Sequence, residues 1–326
     1  MKLDIFMPIY NGSKYLLKTL DSIATQDWED FRVLCVDDES TDASCEIIRD
    51  FASKDPRFVL FQKSNEGNVP YSWRYVIPKL KGDYVQYMSQ DDLLSPGYLH
   101  QMALRAEATG ADAIVPAVEF YHEGKENNRI DIGWPAGGSG TCEAVIDGKT
   151  AFVAALDFSI PGFCWWKRDL IQRIPFVCDA FNSDELMQRI WFRHCEKVAF
   201  SEALFKYRRD NENAITRTFH YRHYSSLKTN LHLLSEMIKE NVGQDMINKL
   251  GGRYFMGLFV LMRQLARFGN DYSIEQRNEV NDLILLSYEH LAPYARYSEG
   301  GFIKKYIWRL FGCSFRMMCL GARLLK

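Results

Sequence analysis

The sequence lacks several features that would place it in other classes of protein. None of its eight cysteines forms a CxxC pair, so we expect no zinc knuckle or dithiol redox motif. It has no run of about 18 apolar residues, which a membrane-spanning helix needs, and no basic and apolar leader at its start. These absences predict a cytoplasmic protein with free thiols. Lysine and arginine (40) nearly balance aspartate and glutamate (42), so we expect no general affinity for nucleic acid.

The N-terminal third alternates between short apolar runs and amphipathic stretches. Runs such as LDIFMP and FRVLCVD are typical of buried strands, and stretches with helical periodicity follow them. This alternation predicts βαβ units, and therefore an α/β fold with a mainly parallel sheet flanked by helices. Strands are expected at 3–8, 31–37, 58–62, 83–88 and 111–121, with helices within 13–26, 41–54, 69–80 and 96–109.

The character of the sequence changes near residues 216–225. Beyond them, long stretches such as HLLSEMIKENV and RYFMGLFVLMRQLARF have helical periodicity. We therefore expect an α/β domain at 1–218 and a helical C-terminal region at 219–326. Residues 122–147 are rich in glycine, asparagine and charge and have no clear period, so they are interpreted as a loop over the site.

Two pairs of adjacent acids stand at the ends of predicted strands. Asp37 and Asp38 end one strand, and Asp91 and Asp92 follow another. Adjacent carboxylates repel each other unless a cation or hydrogen-bond donors neutralise them. Mg²⁺ or Mn²⁺ fits such a position, because hard cations bind carboxylate oxygens and share phosphate oxygens with a substrate. The alternative is that these acids only cap the helices that follow.

The order of the motifs resembles that of the family 2 glycosyltransferases, which have the GT-A fold. In MPIYNGSKYLLKTLDSIATQDWEDFRVLCVDDESTD, one strand ends in P-x-Y-N and the next ends in DD-x-S-x-D, as in that family. GDYVQYMSQDD resembles a second signature of the family, in which a G-x-Y strand leads into an acidic metal-binding motif. The resemblance is close over 3–110 and looser over 160–216, and it implies a GT-A catalytic domain within 1–218.

The resemblance also implies which residues bind the donor. A divalent metal, Mn²⁺ or Mg²⁺, would be held by Asp91 and Asp92, with Asp91 at the family's ligating position. The family pattern D-x-D-D reads Ser89-Gln90-Asp91-Asp92 here, so the first acid is absent and we expect weaker metal binding. The nucleotide sugar would contact residues in the loops after the first three strands and an arginine further along: Pro8, Tyr10, Asn11, Asp37, Asp38, Ser40, Asn65, Gly67 and Arg208. A solvated surface position is the alternative for that arginine.

Transfer of a sugar to a hydroxyl group requires a base, and a positioned carboxylate serves well. Asp184, with Glu185 as second choice, resembles the family's E-D-x-x-L-type motif at the head of a helix. Acids in the first turn also stabilise a helix through its dipole, which is the alternative. Upstream, Trp165 or Trp166 would stack on the acceptor sugar. Adjacent residues of a strand face opposite ways, so the other tryptophan would belong to the core.

The resemblance implies an inverting glycosyltransferase. It would move one sugar from a nucleotide diphosphate sugar, with UDP the commonest carrier, to a glycan or lipid-linked acceptor in surface polysaccharide biosynthesis. The Gln-x-x-Arg-Trp motif of processive members is absent, which favours transfer of a single sugar. The alternative is an inactive relative that binds nucleotide sugar or acts as a scaffold. The missing acid at Ser89 favours that alternative, whereas Asp38 and Asp91 favour the enzyme.

The C-terminal residues form a basic and apolar tail. Residues 301–326 include six lysines and arginines and no acid, with large apolar side chains between them. Such a mixture is typical of a helix that lies on an anionic lipid surface, which would place the protein peripherally on the inner face of the membrane. The alternative is a terminal helix that packs on the protein.

Overall fold

The structure is a computed structural model that describes residues 1–124, 144–212, 214, 215, 217 and 219–325. Its strands are β1 (Leu3–Ile9), β2 (Phe31–Asp37), β3 (Phe58–Gln62), β4 (Tyr84–Tyr87), β5 (Leu93–Leu94), β6 (Ala113–Tyr121), β7 (Val145–Ile146), β8 (Trp165–Lys167) and β9 (Val198–Arg208). Its helices are α1 (Ser13–Ala24), α2 (Ser44–Lys54), α3 (Val69–Val76), α4 (Tyr98–Thr109), α5 (Gly148–Leu156), α6 (Arg168–Arg173), α7 (Ser183–Arg193), α8 (Ser226–Lys239), α9 (Gln244–Phe268), α10 (Ile274–Leu291), α11 (Phe302–Cys313) and α12 (Phe315–Leu324). Most of the expected loop at 122–147 lies outside the described residues.

The described strands form one mixed sheet. Their order is β3-β2-β1-β4-β8-β6-β9-β5, and β7 pairs with β9. The first four strands of this order are mutually parallel, as are β6 and β9. Strand β8 is antiparallel to both of its neighbours, and β5 and β7 are antiparallel to β9. The expected α/β fold with a mainly parallel sheet and a helical C-terminal region is confirmed.

The parallel part of the sheet follows from its apolar sequence. Strand β1 is buried along its length except at Pro8, as expected for a strand with neighbours on both sides. Helix α1 covers it with Leu16, Leu20 and Ile23, which recur at helical spacing and are fully buried. The helix expected at 69–80 ends earlier, at Val76, and a short 3-10 helix at Ile77–Lys79 follows.

Trp165 and Trp166 are core residues, which corrects the expectation that one of them stacks on an acceptor. Both side chains are at 0% exposure. Trp165 Nε1 donates to Gln86 Oε1 at 2.8 Å, and Trp166 packs edge-on against Trp191 and Phe192, with ring centroids 5.4 and 4.6 Å away. Because Trp28 and Tyr84 pack on Trp165 while α7 covers Trp166, neither ring presents a face to a ligand.

The chain forms two compact units. The first consists of Met1–Cys178 and Met187–Thr218, and the second of Asp179–Leu186 and Phe219–Lys326. The start of α7 therefore groups with the C-terminal helices, although the expected domain boundary at 218 separates them in sequence. The assignment of independent domains stays a prediction.

The second unit is helical. Its core includes Phe255, Leu258 and Phe259 of the long helix α9. Gly251 allows close packing, because a Cβ atom there would lie 2.4 Å from the ring of Tyr294. The basic tail forms α11 and α12, each with some buried side chains and some exposed ones. Among the described residues, no helix has the length and apolar character that crossing a bilayer requires.

Candidate functional site

Four loops meet at one edge of the sheet in the first unit. Because β3, β2, β1 and β4 are adjacent and parallel, the loops that follow them emerge at the same edge. Ligands of α/β sheets bind at this carboxyl edge. Most of the donor-binding and metal-binding residues expected from the sequence lie in these loops, whereas Pro8 and Asp37 lie at the ends of β1 and β2 and Arg208 ends β9.

Hydrogen bonds join the loop after β1 to the loop after β2. Asn11, at a left-handed φ of 49°, donates its backbone N–H to Ser40 Oγ at 2.9 Å and accepts from the backbone N–H of Thr41 at 2.8 Å through Oδ1. The N–H of Gly12 donates to Ser44 Oγ at 2.9 Å. The two loops are thus fixed relative to each other, while the Tyr10 side chain is 48% exposed.

Asp42 organises the same pair of loops. Its carboxylate accepts hydrogen bonds from the backbone N–H of Ser13 and of Ser44, both at 3.0 Å, and from Ser44 Oγ at 2.5 Å. Burial raises the pKa of Asp42, but the hydrogen bonds from Ser44 and Ser13 outweigh that effect and lower the pKa to about 2. The carboxylate is therefore ionised at neutral pH and holds the start of α1 against the start of α2.

Asp37 and Asp38 have different surroundings. Asp37 is 1% exposed, and its Oδ2 atom accepts from the backbone N–H of Ser40 at 3.2 Å, which closes the turn after β2. Asp38 is 7% exposed and forms an ion pair with Lys63, whose ammonium group also lies 3.2 Å from Glu66. Asp38 is thus the carboxylate of this pair that faces the loop after β3.

The loop after β3 approaches the loop after β2 through its backbone. The N–H of Asn65 donates to Glu39 Oε2 at 3.1 Å. Gly67 has a φ of 75° and Glu39 has a φ of 62°, so both loops contain left-handed residues. The side chain of Asn65 is exposed. The expected donor-binding residues of these two loops are therefore adjacent.

Gln90 connects the loop after β1 to the acidic loop after β4, and the sequence did not single it out. Its Oε1 atom accepts from the backbone N–H of Tyr10 at 2.9 Å, and its Nε2 atom donates to the carbonyl of Tyr10 at 3.0 Å. A Cβ atom on Gly12 would lie 2.3 Å from Gln90 Oε1, so only glycine leaves room for this contact. The Asn-Gly pair that follows β1 was the one signal in the sequence for this close contact with Gln90.

The acids of the loop after β4 also divide into two roles. Asp92 is 1% exposed, and its Oδ1 atom accepts from the backbone N–H of Arg208 at 3.0 Å. Burial, and then the neighbouring Asp91 carboxylate, raise the pKa of Asp92 well above its usual range. Asp91 is 9% exposed, and its Oδ2 atom accepts from Asn211 Nδ2 at 2.6 Å. Asp92 thus supports β9 through Oδ1, and Asp91 is the more exposed carboxylate of the expected metal pair, whose role stays a prediction.

Arg208 is buried, which excludes the solvated surface position that was its alternative, while its contact with the nucleotide sugar stays a prediction. Its side chain is at 0% exposure, and its Nε atom donates to the carbonyl of Asp91 at 2.8 Å. The guanidinium group lies over the rings of Tyr15 and Tyr121, 4.3 and 4.8 Å from their centroids, and 3.1 Å from Asp210. Arg208 therefore fixes the backbone of the acidic loop.

The donor set around Asp91 fits a divalent metal that also binds a substrate. Among the described residues, no cluster of three or more histidine, cysteine, aspartate and glutamate side chains is able to hold a metal. Mg²⁺ and Mn²⁺ do not need such a cluster, because one or two carboxylates, water and substrate phosphates suffice. Asp91 provides one hard carboxylate, oriented by Asn211 through one oxygen.

Asp184 and Glu185 lie in the first turn of α7, and both are half-buried. This position agrees with the helix-head location expected for the base, and equally with stabilisation of the helix dipole. Both residues belong to the second unit, whereas the four loops belong to the first. Their approach to the donor therefore stays a prediction.

Comparison with known proteins agrees with the loop motifs. Residues 4–161 match the family model described as glycosyl transferase family 2. Glycosyltransferase GlyG of Streptococcus pneumoniae is 25% identical over 226 residues, which are 66% of this chain and 73% of GlyG. The minor teichoic acid biosynthesis protein GgaB of Bacillus subtilis is 34% identical over 95 residues, which are 28% of this chain and only 11% of GgaB.

A solved structure extends the likeness to the whole fold. S. aureus TarS 1–349, in complex with UDP-GlcNAc, superposes with a TM-score of 0.66 and covers 99% of this chain and 89% of its own. The sequence identity is 14%, so this match concerns the fold alone. With the sheet, the loops and the motifs, the comparisons define the class of protein as a glycosyltransferase. Residues 4–161 match glycosyl transferase family 2, and the fold is the GT-A fold.

Proposed function

We propose that the protein transfers one sugar from a nucleotide diphosphate sugar to a hydroxyl group of a glycan or lipid-linked acceptor, with inversion at the anomeric carbon. The observation that carries the proposal is the direct connection of the donor loops to the acidic loop through Gln90 and Tyr10. This connection fixes the nucleotide-binding and diphosphate-binding parts of the site relative to each other. Fixed geometry of this kind lowers the entropic cost of the reaction.

UDP is the proposed carrier. Asp38, which faces the loop after β3, offers a carboxylate to an N–H of the base or a hydroxyl of the ribose. Pro8, Asn11 and Ser40 fix the neighbouring backbone, and the exposed Tyr10 offers a ring to the nucleotide. The complexes of TarS with UDP-GlcNAc and with UDP support this carrier.

Asp91 is the proposed protein ligand of Mn²⁺ or Mg²⁺. When bound, the ion supplies positive charge to the diphosphate that leaves. The remaining contribution comes from the chain itself. Asn211 orients the Asp91 carboxylate, and Arg208 and Asp92 fix the loop that carries it. Asp184, or else Glu185, is proposed to accept the proton of the attacking hydroxyl.

The acceptor is proposed to belong to surface polysaccharide biosynthesis. The name of GgaB, a minor teichoic acid biosynthesis protein, supports this class. A cytoplasmic location with a peripheral membrane contact through 301–326 is part of the proposal, and the basic, acid-free tail supports it. The alternative, an inactive relative that binds nucleotide sugar, is favoured by one observation, which is the serine at position 89.

A panel of UDP-, GDP- and dTDP-sugars tests the proposal. We expect one UDP-sugar to raise the thermal midpoint of the protein, and to be hydrolysed slowly when Mn²⁺ is present. Stabilisation without hydrolysis, and without transfer to any glycan acceptor, would support the inactive relative. No stabilisation by any of these donors would contradict both readings.

A further inference from the structure

Helix α11 presents an apolar stripe to solvent. Ile303, Tyr306, Ile307 and Leu310 are 74%, 68%, 37% and 39% exposed. At about 100° per residue, these positions lie within an arc of about 100° on one side of the helix. The packed side begins next to the stripe, because Phe311, about 40° beyond Ile307 around the helix, is 7% exposed and stacks on Phe259 with a centroid distance of 5.1 Å. The stripe is therefore surface that folding leaves uncovered.

Basic side chains border this stripe on both sides. Lys304 and Arg309 are exposed, and each lies about 60° beyond an edge of the apolar arc. Neither has a hydrogen bond or an ion pair within the described residues. No acid occurs in residues 301–326. The border is therefore uniformly positive and not neutralised by the tail itself.

Helix α12 repeats the arrangement. Met317, Leu320 and Leu324 are 38%, 50% and 75% exposed and lie within about 60° on one side of the helix. Arg316 and Arg323 are exposed beside them. On the inward side, Met318 is at 0% and Ala322 at 2% exposure. Both helices of the tail thus have one packed face and one apolar face with a basic border.

A cleft beside α12 adds a polar feature to the same unit. It is formed by α9, α10 and α12, has a volume of about 330 Å³, and has Met262, Ile284 and Phe315 among its apolar lining residues. Arg277 and Arg323 also line it, with Asn270 and Asn281. Neither arginine has an ion pair or a side-chain hydrogen bond among the described residues. On α12, the cleft residues Phe315, Cys319 and Ala322 lie about 140–200° around the helix from Met317, so the cleft is on the packed side and not on the apolar face.

We propose that the exposed faces of α11 and α12 dock on an anionic phospholipid bilayer. A bilayer surface accepts apolar side chains and attracts the cations that border them. A second copy of the chain fits less well, because it would bring two acid-free, positive tails together. The proposal deepens the membrane contact proposed above, but it does not depend on sugar transfer, because lipid binding needs neither donor nor acceptor.

Sedimentation of the full-length protein with vesicles tests the surface. We expect binding to phosphatidylcholine vesicles that contain phosphatidylglycerol, and binding at least about tenfold weaker to phosphatidylcholine alone. The double variant Ile303→Asn/Ile307→Asn should lower binding to the mixed vesicles by at least about tenfold. The matched control is Ile274→Asn, because Ile274 is 69% exposed in the same unit but lies outside the tail. This control should bind as the unchanged protein does.

The basic border needs a separate variant. Arg316→Gln should remove part of the preference for phosphatidylglycerol, by about threefold to tenfold, whereas Arg263→Gln, an exposed arginine of α9 outside the tail, should leave the preference unchanged. Equal effects of the two variants would overturn the role of the border. A full-length protein that binds neither vesicle would overturn the surface. A tail variant that dissociates an oligomer and leaves vesicle binding unchanged would assign the surface to a second copy instead. Donor-dependent thermal stabilisation, measured on the same variants, shows whether the transfer site is intact.

Discussion

The acids that end strands and the acids that begin a helix are held in different ways. At the strand ends, each pair has one carboxylate at 1% exposure whose oxygen accepts from the backbone, Asp37 in one pair and Asp92 in the other. Its partner, Asp38 or Asp91, is slightly more exposed and is bound by a side chain. At the start of α7, the two acids are both half-buried in the first turn.

This difference shows that an acid pair in a sequence does not indicate which of its two carboxylates is available to a ligand. Asp37 is the last residue of β2, so the first acid of that pair is the buried one. The other pair follows β4 after a turn, and there the second acid is buried. The position at which the chain leaves the sheet determines which acid of each pair is buried. Adjacent acids on a helix instead differ in direction by about 100°, so there only one is expected to face a substrate.

The largest expected effect tests the helix pair. Asp184→Asn keeps the size of the side chain but cannot accept a proton, so transfer should fall by about 10²–10⁴-fold while donor affinity stays nearly constant. Glu185→Gln is the matched control, and its effect should be smaller because it points about 100° away. Donor binding by calorimetry and the transfer rate with the true acceptor are measured for both variants.

Two outcomes would break this part of the comparison. If Glu185→Gln is inactive and Asp184→Asn is active, the two acids exchange roles. If neither variant loses transfer, both acids serve only the helix dipole, and the base lies elsewhere in the chain.

The second prediction tests the strand-end pair at β4. Asp91→Asn removes the charge proposed to hold the metal and its diphosphate, which is a loss of several kcal/mol, or about 10²–10³-fold in transfer. The control is Asp83→Asn, because Asp83 is exposed and accepts from the backbone N–H of Lys2, before β4 rather than after it. Transfer is measured over a series of Mn²⁺ concentrations. Near-normal turnover of Asp91→Asn at low Mn²⁺ would show that Asp91 is not the ligand.

The sequence predicted the parallel sheet well because local patterns determine it. Apolar runs such as β1 and β2, each followed by an amphipathic helix, produce βαβ units with little freedom of topology. Strands β5 and β7 were not predicted. They have two residues each, and their antiparallel pairing depends on partners distant in sequence, so no local pattern marks them.

The site was predictable in its backbone motifs and less so in its side-chain partners. The loops that contain Asn11, Asp38 and Gly67 follow strands, so their position at the sheet edge follows from topology. Gln90 and Asn211 bond to residues 80 and 120 positions away. Such contacts cannot be read from spacing. Trp165 and Trp166 were misjudged for the same reason, because Trp28 packs on one ring and Trp191 on the other, and both are distant in sequence.

The third prediction sharpens the difference between Asp91 and Asp92. Asn211→Ala removes the hydrogen bond to Asp91 Oδ2 and leaves the bond from Arg208 to Asp92 in place. Loss of a group that orients a metal ligand weakens metal affinity by about 10–100-fold. The Mn²⁺ concentration for half-maximal transfer should rise by that factor, and saturating Mn²⁺ should restore most of the rate.

Asn248→Ala, in the second unit, is the control for this change. Among the residues that the structure describes, Asn248 Oδ1 accepts only from Gln244 of the same helix. It should leave the Mn²⁺ dependence unaltered. A rate lowered equally at every Mn²⁺ concentration in Asn211→Ala would point to general loss of folded protein and not to the orientation of Asp91.

The smallest expected effect concerns Asp42, an acid near the end of β2 that acts through the loops and not through the donor. Its pKa is lowered to about 2, so its carboxylate stabilises the fold above the unfolded pKa of about 3.9, and that contribution is lost as pH falls toward 2. Asp42→Asn should therefore lower the free energy of unfolding by about 1 kcal/mol at pH 7 and by less at pH 3. Urea unfolding at both pH values measures this difference, and Asp50→Asn, which removes only an exposed ion pair with Lys54, should change little at either. A loss of the same size at pH 3 and pH 7 would mean that the shape of the side chain, and not its charge, holds the loops. Asp42 would then differ from the strand-end acids, because their proposed roles depend on the charge or the burial of the carboxylate.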